Sequence, residues 1–252
     1  MSPQPLAGLR VLVTRPLEHS AAWTQAFAAA GATVIPYPTV DVVPPSSWQP
    51  LDEALARLGE YDWLVFTSAA AVRFALARLP TGLSLHALSR PRVAAVGRET
   101  ARALEEHGAS VALVPEEERQ DGLAAALGDA IGGLAPGTRV LFPQAVGGRD
   151  ELRNALLAHG CIVDVVPASQ TVPRRDLPPP PPHDVATFAS PSALRAFVAV
   201  RGLAALEATT VAVIGPTTAA AATALGLAPV VAAAPSADAL IAAIAAAKKT
   251  AI

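Results

Sequence analysis

Three segments of this chain occur twice, in the order A-B-C-A-B-C, and the repeat limits the possible folds more than any other feature of the sequence. Part A reads RVLVTRP and then HSAAWTQAFAAAGATVIPYP; its second copy is RVLFPQAVGGRDELRNALLAHGCIVDVVP. Arg10 matches Arg139 and Gly31 matches Gly160 with no change of spacing. Part B, YDWLVFTSAAAVRFAL, returns as HDVATFASPSALRAFV, which sets Phe66 and Ser68 against Phe188 and Ser190. Part C, RVAAVGRETARALEEHGASV, returns as TVAVIGPTTAAAATALGLAPV, so that Gly97, Thr100 and Gly108 face Gly215, Thr218 and Gly226. Each part is a β-branched apolar run, a polar turn containing Gly or Ser, and a helical periodicity. Alternating strand and helix predicts an α/β protein with doubly wound parallel sheets, helices covering both faces.

The repeat order permits tandem domains or domains that exchange their first unit, and linker composition selects the second. A tandem joint would fall in IGGLAPG, a short loop. The proline-rich stretches instead follow each A part, at 36–47 and 166–184, and the run Pro178 to Pro182 favours extended, semi-rigid chain. The expected lobes are therefore 1–36 with 174–252, and 44–166. Residues 37–43 and 167–173 would be paired linker strands. In such a protein a ligand is expected between the lobes, beyond the carboxyl ends of the strands.

Composition removes several classes of function. With 52% hydrophobic and 16% charged residues and a net charge of -2, the chain carries apolar surface for packed cores but no sequence-wide basic field for nucleic acid or membrane. Aromatic residues make up only 4%, too few for a base-stacking platform. The single cysteine, Cys161, excludes an internal disulfide and a Cys-rich metal cluster, and is expected to be buried packing. The start, MSPQPLAGLR, lacks an apolar signal core, and the Ala-rich tail at 232–247 is broken by Pro235, Ser236 and Asp238. A cytoplasmic protein is expected.

No phosphate-loop or dinucleotide glycine motif occurs. His19, His86, His107, His159 and His183 lack metal-site spacing and are expected at the surface, so no metal or other cofactor is expected. Glu116 to Glu118 reads as a solvated charge run, Trp23 and Trp63 as core, and Trp48 as a linker residue able to touch either lobe.

The strand-end turns carry what chemistry there is: Thr14-Arg15, Thr67-Ser68, Gly97 to Thr100, Gln144 to Arg149, Ser190-Pro191-Ser192, and Gly215 to Thr218. Hydroxyl and amide donors at helix N-termini suit carboxylates or phosphates, because free N–H groups and the helix dipole favour anions there. The plain alternative is that Ser68, Ser190, Thr100 and Thr217 cap only their own helices. The residues alone point to a binder of a polyanionic small molecule and do not name a reaction.

Taken in order, VLVTRP, VFTSAAAV, AVGRETARAL, LFPQAVGGRDEL, FASPSALRAF and AVIGPTTAAAATALG resemble the strand-end signatures of the uroporphyrinogen-III synthase family, over nearly the whole chain. The resemblance implies two flavodoxin-like lobes joined by a two-stranded linker. It also implies a cofactor-free reaction on hydroxymethylbilane, a linear tetrapyrrole with eight carboxylates. Loss of the hydroxyl gives an azafulvene, the substituted carbon of the last ring attacks to form a spiro intermediate, and fragmentation and reclosure leave ring D inverted. Bilane left alone closes to the uninverted isomer, so the enzyme's task is chiefly orientation. By this likeness Thr67, Ser68, Gly97, Thr100, Ser190, Gly215, Thr217 and Thr218 bind substrate. Thr14, Arg15, Gln144, Arg149 and Ser192 join them from charge and placement.

The family often has a tyrosine in the returning linker, in a Tyr-x-Thr sequence proposed to help the hydroxyl leave. Here that stretch is Ser169-Gln170-Thr171. Ser169, Tyr37 in the other linker, a substrate carboxyl group or water are the candidates left to assist. A monomer with transient contact to hydroxymethylbilane synthase is expected. The alternative is a non-catalytic bilobed binder or sensor of a tetrapyrrole or another polyanion.

Overall fold

The computed structural model describes residues 4–16, 20–83, 90–130 and 134–250; His19 and His86 lie outside them. The chain forms two compact units, one of residues 1–41 and 171–252 and the other of residues 42–170. The chain thus leaves the first unit after Asp41 and re-enters it at Thr171.

The first unit holds β1 (Arg10–Val13), α1 (Ala21–Ala29), β2 (Thr33–Pro36), β9 (Val185–Phe188), α7 (Pro191–Arg201), β10 (Thr210–Val213), α8 (Pro216–Thr223), β11 (Val230–Val231) and α9 (Ala237–Thr250). Its strands lie in the order β11-β10-β9-β1-β2, with every pair parallel. Alternation along β1 divides the core. Val11 and Val13 face Trp23 and Phe27 of α1 and Leu240, Ile241 and Ile244 of α9. Leu12 faces Leu194 and Phe197 of α7 and Ala222 of α8.

The second unit holds α2 (Gln49–Ala56), β4 (Trp63–Phe66), α3 (Ala69–Leu76), β5 (Arg92–Ala95), α4 (Arg98–Glu106), β6 (Val111–Leu113), α5 (Gln120–Asp129), β7 (Arg139–Ala145) and α6 (Glu151–Ala158). With β3 (Val40–Val43) and β8 (Ile162–Pro173) they give the sheet order β3-β8-β7-β4-β5-β6. Leu64 and Phe66 point to the side of α2, α3 and α4. Trp63 and Val65 point to the side of α5 and α6. Replacing each strand of β8-β7-β4-β5-β6 by its repeat partner yields β2-β1-β9-β10-β11, so the sequence repeat is a repeat of spatial order.

Helix limits follow local chemistry. Pro191 and Pro216 open α7 and α8, where a missing N–H costs nothing. Gly31 and Gly160 close α1 and α6 at φ of 90° and 78°, a backbone state that side chains disfavour.

Two details differ from the sequence reading. β8 is one strand of twelve residues, so the second strand of part A and the returning linker are continuous. It lies beside β3 in the sheet order. The proline-rich stretch after it is anchored within the first unit. Arg201 Nη2 donates to the Leu177 and Pro178 carbonyls, and the Leu177 side chain packs on the core there. Trp48 packs on the second unit's core, its ring 6.2 Å from that of Phe74. Trp23, Trp63 and Cys161 are buried. Among the described residues no helix is long and apolar enough to cross a membrane.

Candidate active site

Parallel strands put every strand-to-helix turn of a sheet on one edge, and adjacent strands put their turns side by side. In the second unit β7, β4 and β5 are neighbours, which brings together the turns of Gln144 to Arg149, Thr67-Ser68 and Gly97 to Thr100. In the first unit β1, β9 and β10 do the same for Thr14-Arg15, Ser190 to Ser192 and Gly215 to Thr218.

The second unit's edge encloses a cavity of about 530 Å³, whose lining includes Thr67, Arg149, Glu118, Arg119 and Asp121. Thr67 is half-buried and Arg149 exposed. Gln144 holds the turn that presents Arg149. Its Nε2 donates to the Arg149 carbonyl at 2.6 Å, and its side chain occupies the space that a Cβ on Gly148 would need. Gln144 is therefore a support for the turn, with only 7% of its surface exposed.

Ser68 and Ser190 keep the same role in both copies. Each Oγ accepts the backbone N–H three residues on, from Ala71 and Ala193, at 3.2 Å in both cases. Ser190 also shares a hydrogen bond of 2.9 Å with Ser192 Oγ, leaving the exposed Ser192 at the edge. The N-caps of α4 and α8 are Gly97 and Gly215, in place of the Thr100 and Thr217 caps expected from the residue types. Thr217 is exposed, whereas the repeat partners Thr100 and Thr218 both turn inward, 5% and 3% exposed.

Four further residues stand differently from their sequence roles. Thr14 is fully buried, and its Oγ1 donates to the Thr187 carbonyl at 2.7 Å, which ties β1 to β9 instead of facing a ligand. Arg15 stacks over Trp23, 4.7 Å from the ring centroid. Tyr37 is 4% exposed; its hydroxyl donates to the Pro178 carbonyl and accepts from Arg201 Nε, both at 2.7 Å, so it is engaged in the first unit's packing. Ser169 is 1% exposed, and its Oγ has no hydrogen-bond partner. The Tyr37 hydroxyl is thus already hydrogen-bonded, and that of Ser169 is unpaired but buried.

The sequence reading gave no site role to Glu118 to Asp121, which run from the loop after β6 into the first turn of α5, and took Glu118 only as part of a solvated charge run. Glu118 Oε2 accepts the Arg98 N–H at the start of α4 at 3.2 Å. Gln120 Oε1 accepts the Leu152 N–H in the first turn of α6 at 3.2 Å. Arg119 is held by Glu117 at 3.0 Å and Asp121 at 2.9 Å. The Gly122 N–H and Arg119 hold the Asp121 carboxyl below its ordinary range. Topology carried the missing signal, since a loop that follows a parallel strand lies at the same edge as the other strand-end turns. Among the described residues no group of three His, Cys, Asp or Glu side chains is arranged to hold a metal ion.

The family model described as HEM4, uroporphyrinogen-III synthase HemD, matches residues 21–242. The chain belongs to the uroporphyrinogen-III synthase family. A stretch of 172 residues, 68% of the chain, is 37% identical to a protein of Synechococcus elongatus named uroporphyrinogen-III synthase and spans 64% of that relative. Another of 169 residues, 67% of the chain, is 30% identical to the porphyrin biosynthesis protein HemD of Ruminiclostridium josui, 33% of whose length it spans. The chain therefore matches less than two thirds of either relative. The fold is similar to the crystal structure of uroporphyrinogen-III synthetase from Helicobacter pylori, with a TM-score of 0.63 at 18% identity over 95% of this chain and 99% of that one. It is also similar to a mutant uroporphyrinogen III synthase from Thermus thermophilus, with a TM-score of 0.58 at 17% identity over 97% and 99%.

Proposed function

We propose that the chain is a uroporphyrinogen-III synthase, a cytoplasmic lyase that cyclises hydroxymethylbilane to uroporphyrinogen III with inversion of ring D and loss of water. The observation that carries this reading is the repeated set of turns: in each unit three strand-end turns bearing hydroxyl, amide or guanidinium groups sit side by side on one sheet edge. A substrate with eight carboxylates calls for many modest anion contacts. Thr67 and Arg149 of the second unit, and Ser192, Gly215 and Thr217 of the first, are the groups best presented for them.

The strand orders support flavodoxin-like lobes, since β2-β1-β9-β10-β11 is the 2-1-3-4-5 order of that architecture and β8-β7-β4-β5-β6 is its repeat equivalent. The linker strands we assign to residues 37–43 and 167–173.

With Tyr37 engaged and Ser169 buried, the protein's contribution is to hold the bilane so that the substituted carbon of ring D meets the azafulvene. Orientation of this kind is worth several kcal/mol, roughly 7–11 in well-aligned intramolecular reactions. A substrate carboxyl group or water then assists the leaving hydroxyl. Because free bilane closes spontaneously, a monomer that meets hydroxymethylbilane synthase briefly would shorten its exposure. The test is isomer analysis of the product made from enzymatically generated bilane.

A further inference from the structure

The turn between β5 and α4 is already occupied by a carboxylate of the protein itself. Glu118 Oε2 lies 3.2 Å from the Arg98 backbone nitrogen, and Oε1 lies 3.7 Å from Arg98 Nε. The Glu118 side chain is half exposed, so the contact is held at the rim of the site, within reach of solvent. Gly97 makes the approach possible: a Cβ there would lie 2.4 Å from Glu118 Oε2. The repeat partner in the first unit has no such cover, and nothing lies within 4 Å of the point where a Cβ on Gly215 would stand. Glu118 also lines the cavity that Thr67 and Arg149 share.

A side-chain carboxylate on a backbone N–H at a helix start is chemically what a propionate or acetate arm of a tetrapyrrole would present. Both cannot hold the Arg98 N–H at once. We propose that Glu118 is an internal competitor for a substrate carboxylate at the Gly97-Arg98 turn, an autoinhibitory contact that an incoming carboxylate displaces, on the reading that this edge binds the bilane. The Glu118 to Asp121 segment then yields in part as substrate enters. The contact lowers affinity for the polycarboxylate and leaves the chemical step alone, because Glu118 is not asked to touch the reacting carbons.

The experiment is calorimetric titration of the full chain with uroporphyrin III, a stable octacarboxylate, for the wild type, Glu118→Gln, Glu118→Ala and Glu116→Gln. KM and kcat on enzymatically generated bilane are measured in parallel, and thermal unfolding verifies that each variant is folded. Both Glu118 variants should bind uroporphyrin about two- to fivefold tighter, as expected for one removed charge at a helix start. KM should fall by a similar factor while kcat holds. Glu116→Gln removes the same charge two residues away and should change little, which separates the contact from the general field.

Equal or weaker uroporphyrin binding in both Glu118 variants would overturn the proposal, as would equal tightening in Glu116→Gln. Those results leave the synthase reading intact if the wild type forms isomer III. Tightening in the Glu118 variants without isomer III from the wild type would keep the competitor and remove the catalytic reading.

Discussion

Gln144 Nε2 donates to the carbonyl of Arg149 at 2.6 Å, and the glutamine lies so close to Gly148 that its Cδ and Nε2 are each 2.6 Å from the place of a missing Cβ. The turn that presents Arg149 is thus shaped by a side chain of one residue and the absence of one on another. Gly148→Ala should expel Gln144, strand its buried amide and cost on the order of 1–3 kcal/mol. The checks are chemical unfolding and bilane kinetics, with KM expected to rise more than kcat falls.

Arg149 is exposed at the cavity and makes no ion pair among the described residues. Its replacement by Gln should leave the melting temperature unchanged and raise KM for bilane by roughly fivefold, the equivalent of about 1 kcal/mol for an exposed ionic contact. Steady-state kinetics at two salt concentrations test this, since an ionic contact weakens as salt rises.

The two linker hydroxyls should separate by stability. Ser169 Oγ is buried without a partner, so Ser169→Ala removes an unsatisfied polar atom and should be neutral or stabilising. Tyr37→Phe removes the donor to Pro178 and the acceptor for Arg201 and should destabilise by about 1–2 kcal/mol. In both variants turnover should stay within about threefold of wild type, roughly 0.7 kcal/mol. A tenfold loss for Ser169→Ala at unchanged stability would give that hydroxyl a place in the chemistry.

Acid stability should expose the start of β1. Asp184 accepts hydrogen bonds from Arg10 Nη2 at 2.8 Å, Nε at 3.1 Å and the Arg10 backbone N–H at 2.8 Å, and these lower its carboxyl from the ordinary 3.8 to about 2. A lowered folded-state value means stability that is present in full above the unfolded value and lost as pH falls through the folded one. The melting-temperature gap between wild type and Asp184→Asn should therefore be constant above about pH 5 and shrink between about pH 4 and pH 2.

Much of this architecture is written in the sequence because it is a repeat. Arg10 and Arg139, Ser68 and Ser190, and Gly97 and Gly215 each recur with the local structure they need, and the unbroken apolar run Val11, Leu12 and Val13 marks a parallel strand covered on both faces. What could not be read was which hydroxyls turn inward. Thr14, Thr100 and Thr218 stand in turns or first helical turns where one residue's rotation decides between core and edge. Long-range partners were also hidden: Tyr37 is committed by Pro178 and Arg201, and Glu118 reaches back twenty positions to Arg98, across distances that no local pattern encodes.

On the proposed function, these turns hold a bilane in the shape that inverts its last ring. The most direct test is to supply enzymatically generated hydroxymethylbilane, oxidise the products and resolve the isomers by chromatography. Predominantly isomer III, formed faster than spontaneous closure, is the expected product. Isomer I alone, formed at the uncatalysed rate, would contradict it.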